Sequence, residues 1–89
     1  MYQRMSAGEK MEMIPLTEMK KNASGTITGI HGGRRMMNRL DTLGIRPGKR
    51  IRKISQQALR GPVVVEIDRV QVAVGYGMAS HIMVQADGG

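Results

Sequence analysis

Between residues 24 and 84 the apolar positions alternate, then recur at helical spacing, then alternate again. "SGTITGI", residues 24–30, carries the β-branched content of a strand, with Gly29 marking a bulge. His31-Gly32-Gly33 reads as a turn. Over "RRMMNRLDTL", residues 34–43, a spacing of 100° per residue gathers Met36, Met37, Leu40 and Leu43 within about 120°, the arc of a helix laid on a sheet. Gly44 stands where a left-handed cap residue belongs, and Ile45 where a Schellman ending packs back on Leu40. In Arg46-Pro47-Gly48-Lys49, Pro fixes the first central residue and Gly admits positive φ at the second, the chemistry of a type II turn.

Beyond that corner, "KRIRKIS" predicts a strand of mostly charged side chains. Ile51 and Ile54 are three apart, so alternation fails, and a sheet edge or a partner contact is expected. "QQALRG" is a polar loop closed by Pro62. "VVVEI", 63–67, and "VQVAV", 70–74, are the strongest strand signals, and Asp68-Arg69 between them predicts a tight hairpin. "GYGMAS", 75–80, is a turn with one helical turn, and "HIMV" a short closing strand. Strand, helix and four strands in that order predict an all-β fold, a small partly open barrel with one short inserted α-helix. The folded part is expected over residues 14–84, entered in extended conformation through Pro15. Residues 1–13 read as a disordered polar tail and 85–89 as a C-terminal tail.

Composition sharpens this. A chain of 89 residues makes one small domain. With no Phe or Trp, its core must come from seven Val, eight Ile, four Leu and nine Met. The absence of cysteine excludes disulfides and thiolate metal sites and fits a reducing compartment. No segment reaches the ~18 apolar residues of a membrane helix, and residues 1–13 lack the apolar centre of a secretory signal. A soluble, cytoplasmic protein is expected.

The net charge of +7 is unevenly placed. Arg34, Arg35, Arg39, Arg46, Lys49, Arg50, Arg52 and Lys53 are opposed in their segment by Asp41 alone, while six basic and six acidic residues elsewhere cancel. Such asymmetry predicts an acidic partner, whether protein, nucleic acid or lipid, against the plainer reading of a solvated face. Arg34 and Arg35 also occupy a first helical turn, where the macrodipole disfavours cations by about 0.3–1 kcal/mol. Local rules are broken most often where function requires it. Nucleic-acid binding would use the charge through phosphate contacts, but the segment has no aromatic side chain to stack a base, Tyr2 and Tyr76 lying outside it.

Enzymatic constellations are thin. The serines sit in no nucleophile elbow, and Glu66 and Asp68 read as surface strand and turn residues. "GYGMAS" imitates the start of a dinucleotide-binding loop without the long helix and parallel strand that such a loop needs. His31 and His81 are the candidate metal ligands, far apart in sequence and without clustered spacing. No cofactor is expected.

"RMMNRLDTLGIRPGKRIRKIS" followed by "GPVVVEIDRVQVAVGYGMASHIMV" resembles the FeoA family of small ferrous iron transport proteins, and "PLTEMKKNASGTI" resembles its opening segment. The likeness spans about residues 14–84. Its most specific part is the corner Arg39-Leu40, Leu43-Gly44-Ile45, Pro47-Gly48, followed by Gly61-Pro62 and by Ala79, Ile82 and Val84. The resemblance implies an SH3-like barrel with an inserted helix, in a non-enzymatic cytoplasmic accessory protein of ferrous iron uptake. It implies as partner the large membrane transporter FeoB, with its cytosolic GTP-binding domain. A similar barrel ends the iron-dependent repressors, but no DNA-binding segment precedes the barrel here, so a complete repressor is not expected. The family hands down no catalytic motif. The structural corner is therefore Leu40, Gly44, Ile45, Pro47 and Gly48. The charge beside it, on Arg35, Arg39, Arg46, Lys49, Arg50 and Arg52, is expected to be a docking surface. The alternative is a small basic barrel that binds nucleic acid.

Overall fold

A computed structural model describes residues 13–87; of the expected polar tail over residues 1–13 all but Met13 lies outside the described residues, as do the last two glycines. The chain runs through β1 (Met13–Pro15), a single 3-10 turn (Leu16–Glu18), β2 (Ser24–Ile30), α1 (Arg34–Thr42) and β3 (Arg50–Gln56). β4 (Val63–Ile67), β5 (Val70–Val74), α2 (Tyr76–Ala79) and β6 (Ile82–Ala86) complete it. The strands form one antiparallel sheet in the order β1-β6-β2-β3-β4-β5. The sheet does not close: β1 and β5 are its two edges.

The valine strands behave as their alternation demands. Val63, Val65 and Ile67 point inward, and Val64 and Glu66 do not. Asp68 and Arg69 join β4 to β5 with φ of 53° and 68°, a two-residue turn with both central residues left-handed, whose twist matches the flanking strands. In β2 the register slips between Ile27 and Gly29 against β6, so the bulge falls on Thr28, beside the glycine that announced it.

Three expectations are corrected. β3 is not an edge strand but lies between β2 and β4. Its inward positions are Ile51 and Lys53, and a register shift between Lys53 and Ser55 takes Ile54 out of step. A sixth strand, β1, pairs with β6 at Met13 to Gln85, Ile14 to Val84 and Pro15 to Met83, so the ladder extends past Val84 to Gln85 and Ala86. On α1, Leu40 is fully buried and Met36 packs against the core, whereas Met37 and Leu43 are 41% and 37% exposed. Met37 sits at the far end of the apolar arc. Leu43 is the C-cap, where the backbone leaves helical geometry and its side chain no longer follows the helical arc.

The corner forms as its residues require. Gly44 takes φ +85° and donates to Asp41 O at 2.9 Å, while Ile45 N reaches Leu40 O at 2.9 Å, the paired bonds of a Schellman ending. Gly48, at φ +93°, completes the turn closed by Lys49 N to Arg46 O at 3.2 Å. Gly48 N then bonds Ile27 O at 2.7 Å, so the corner is stitched to β2 before β3 begins.

Candidate docking surface

The structure sorts the basic residues of 34–53 into three environments. Lys53 is the buried one, at 4% exposure. Its ammonium donates to the carbonyls of Leu16 (3.3 Å), Thr17 (3.1 Å) and Met19 (2.8 Å), and also to Gln56 Oε1. The 3-10 turn and its C-cap thus wrap around one cation, and burial pulls the Lys53 pKa below the ordinary lysine value. Sequence reasoning missed this residue. The available signal was its spacing of two from Ile51, which put it on the inward face.

Four more are held in ion pairs. Arg50 grips Asp87 with both terminal nitrogens, at 2.8 and 2.6 Å, and also donates to Thr26 Oγ1 at 3.1 Å. The hydrogen bonds from Arg50 hold the Asp87 carboxyl below the usual carboxylate range and raise the guanidinium pKa in return. Arg52 meets Glu66, its cross-strand neighbour, at 3.2 Å. Lys49 reaches Asp68 at 2.6 Å and Arg46 reaches Asp41 at 3.2 Å. Of these carboxylates only Asp41 belongs to the basic segment. The fold imports Glu66, Asp68 and Asp87 from elsewhere in the chain, so cancellation counted along the sequence does not survive in space.

Arg34, Arg35 and Arg39 form the third group, on α1. They have no ion-pair partner among the described residues. Arg35 and Arg39 stand one turn apart over a groove of about 340 Å³, lined also by Gly33, Met36 and Met78. Two thioether side chains and two arginines thus share its lining. The exposed Met37 belongs to the same short helix. Flexible, polarisable Met suits a surface that adapts to a partner. By contrast, the hollow over β2–β4 is lined by Arg50, Arg52, Glu66, Asp68 and Arg69, where Arg52 pairs with Glu66 inside the lining, and Arg50 and Asp68 are held by Asp87 and Lys49 from outside it.

The two histidines, distant in sequence, are neighbours in space. His31 N donates to His81 O at 2.8 Å, and His81 Nδ1 donates to His31 O, so Nε2 is the ring nitrogen of His81 that this pairing does not use. Among the described residues no cluster of three or more His, Cys, Asp or Glu side chains surrounds them. Tyr76 is not an open stacking platform, since Arg60 lies over its ring at 5.9 Å.

Residues 14–86 match the FeoA domain. The chain belongs to the FeoA family. It is 33% identical over 73 residues to a protein named Fe(2+) transport protein A of Methanocaldococcus jannaschii, with 82% of this chain and 87% of the relative covered. A crystal structure described as the iron uptake regulatory protein FeoA superimposes with a TM-score of 0.77 at 29% identity, covering 84% of this chain and 97% of the other. The fold is thus the SH3-like fold of FeoA, with its sheet left open. A manganese-dependent transcriptional repressor also superimposes, with a TM-score of 0.79 at 23% identity over 86% of this chain and 43% of the repressor. That likeness shows a shared fold and nothing about ligands. FeoA proteins are associated with ferrous iron transport as accessory proteins and are not a known enzyme family. No described helix of this chain is long and apolar enough to cross a membrane.

Proposed function

We propose that this FeoA-family chain is a cytoplasmic accessory protein of ferrous iron uptake that docks on the cytosolic part of the FeoB-type GTP-binding transporter through its basic surface. The observation that carries the reading is the division of the cations. Arg35 and Arg39 are free of internal carboxylates and flank an apolar groove, an arrangement that complements an acidic, partly apolar patch. Arg forks suit bidentate carboxylate contacts better than Lys does. Arg46, Lys49, Arg50 and Arg52 are secondary contributors, because each must first give up an existing ion pair.

The test is binding to the transporter's cytosolic domain, with melting curves as the control for folding. Arg35→Glu with Arg39→Glu should abolish binding in a chain that still folds, and adding Arg50→Glu should change little further. Unaltered binding by the folded double variant moves the interface elsewhere. Duplex and single-stranded DNA serve as competitors, and tight DNA binding at physiological salt without transporter binding supports the nucleic-acid alternative instead.

A further inference from the structure

The two edges of the sheet are built differently. β1 is three residues long and ends in Pro15, which has no amide to offer. β5 is five residues, Val70-Gln71-Val72-Ala73-Val74, with no charge, no Pro and no bulge in its pairing with β4. Val70 is 58% exposed, and Gln71 and Ala73 are exposed. None of the usual guards of an edge strand is present.

The hairpin register decides which backbone groups are free. A two-residue turn makes Ile67 and Val70 a hydrogen-bonded pair, so Val72 and Val74 also bond inward to Val65 and Val63. The amides and carbonyls of Gln71 and Ala73 therefore point away from β4. No backbone partner meets them among the described residues. We infer that β5 is a self-pairing edge, on which a second copy of this chain adds its own β5 antiparallel, with Val72 on the two-fold axis. In that register Gln71 faces the second copy's Ala73 and exchanges a reciprocal pair of hydrogen bonds with it. The symmetric couple does the same, and no outward amide or carbonyl of either residue is left over. Val72 meets its own copy in a close non-bonded pair, and Arg69 falls opposite the second copy's Gly75, so no like charges face each other across the ladder.

The choice of a second copy over a foreign strand rests on this self-complementarity, which an isologous interface demands. Two five-residue strands bury less surface than a standard interface, so the dimer is weak. Each copy carries +7, so added salt should tighten association by screening the repulsion. Docking through the α1 arginines should instead weaken with salt, which separates the two readings.

The experiment is sedimentation equilibrium of the full chain across concentration and salt, with backbone amide hydrogen exchange at both ends of the concentration range. The expected result is a salt-favoured monomer–dimer equilibrium, with Gln71 and Ala73 amides gaining protection as concentration rises. Ala73→Pro deletes an outward amide and leaves the β4 ladder intact, so it should weaken the dimer about tenfold or more. Ala73→Lys, at an exposed position, is the second variant should proline disturb the strand. A chain that stays monomeric at millimolar concentration in high salt overturns the inference. So does a dimer whose Gln71 and Ala73 amides stay unprotected, or one indifferent to both folded variants. Concentration-independent protection of those amides in a monomer would mean that something other than a second copy covers the edge, and also overturns it.

Discussion

The amide of Ile45 donates to the carbonyl of Leu40 at 2.9 Å, and both side chains are fully buried. With its partner bond from Gly44 N to Asp41 O at 2.9 Å, this hydrogen bond closes α1 and fixes the direction in which the chain leaves the helix. Gly44 makes this possible with φ +85°, and nothing lies within 4 Å of where its Cβ would be. A side chain there meets no neighbour, so the cost of adding one is backbone strain alone. Gly44→Val should destabilise by about 1–3 kcal/mol. Thr42→Val, which removes an exposed hydroxyl bonded to Asn38 O at 3.0 Å, should cost distinctly less. Equal shifts in chemical denaturation would rule out strain at Gly44 as the cause.

The exposure of the apolar side chains on α1 sets a second contrast. Leu40→Ala empties a fully buried site and should cost about 2–5 kcal/mol. Met37→Ala, at a residue 41% exposed, should stay within about 0.5 kcal/mol of wild type. Urea titrations of the two variants check this, and a large loss from Met37→Ala would mean that α1 packs through a wider face than Met36 and Leu40.

What could be read from the sequence was what local chemistry decides. Gly44, Pro47-Gly48 and Asp68-Arg69 each impose a backbone conformation on their own residues, and all three turns were legible. The alternation of Val63, Val65 and Ile67 likewise needs no distant partner to be recognised. Strand order was not legible in β3, because a strand with charged positions can be central when its neighbours supply carboxylates. Asp87 and Glu66 are 37 and 14 residues from the arginines they neutralise. For the same reason the run of basic residues over 34–53 does not form one environment: Lys53 is interior, and Arg39 has no ion-pair partner among the described residues. Met78 entered the groove through α2, a single turn whose side chains have no periodicity to read.

The histidine pair predicts weak metal binding. His31 and His81 are adjacent, but no carboxylate or thiol completes a ligand set of three among the described residues. Tight divalent sites need three or four protein ligands in defined geometry. Anaerobic calorimetry with ferrous iron should therefore show no stoichiometric binding at micromolar affinity. Stoichiometric binding abolished by His31→Ala and by His81→Ala would overturn this expectation.

Lys53 gives the last prediction, and its sign depends on which force dominates at the ammonium. Three carbonyls and an amide oxygen favour the charged form. Burial disfavours it and prevails, leaving the folded-state pKa below the ordinary lysine value. Between the folded pKa and the unfolded value of about 10.4, the folded chain binds fewer protons than the unfolded chain, so stability contributed by this group rises with pH. Below that window the cost of burying the charge is constant. Lys53→Met removes the donor and leaves buried carbonyls unsatisfied, so it should cost about 1–3 kcal/mol at neutral pH. The remaining lysines titrate alike in both proteins, and the difference between them isolates Lys53. That difference should widen as the pH approaches about 10 from below, because wild type gains and the variant does not. Denaturant unfolding of both chains at a series of alkaline pH values measures it. A gap that narrows with rising pH would mean that the carbonyl cage holds the proton more tightly than water does, and that the folded-state pKa lies above the unfolded one.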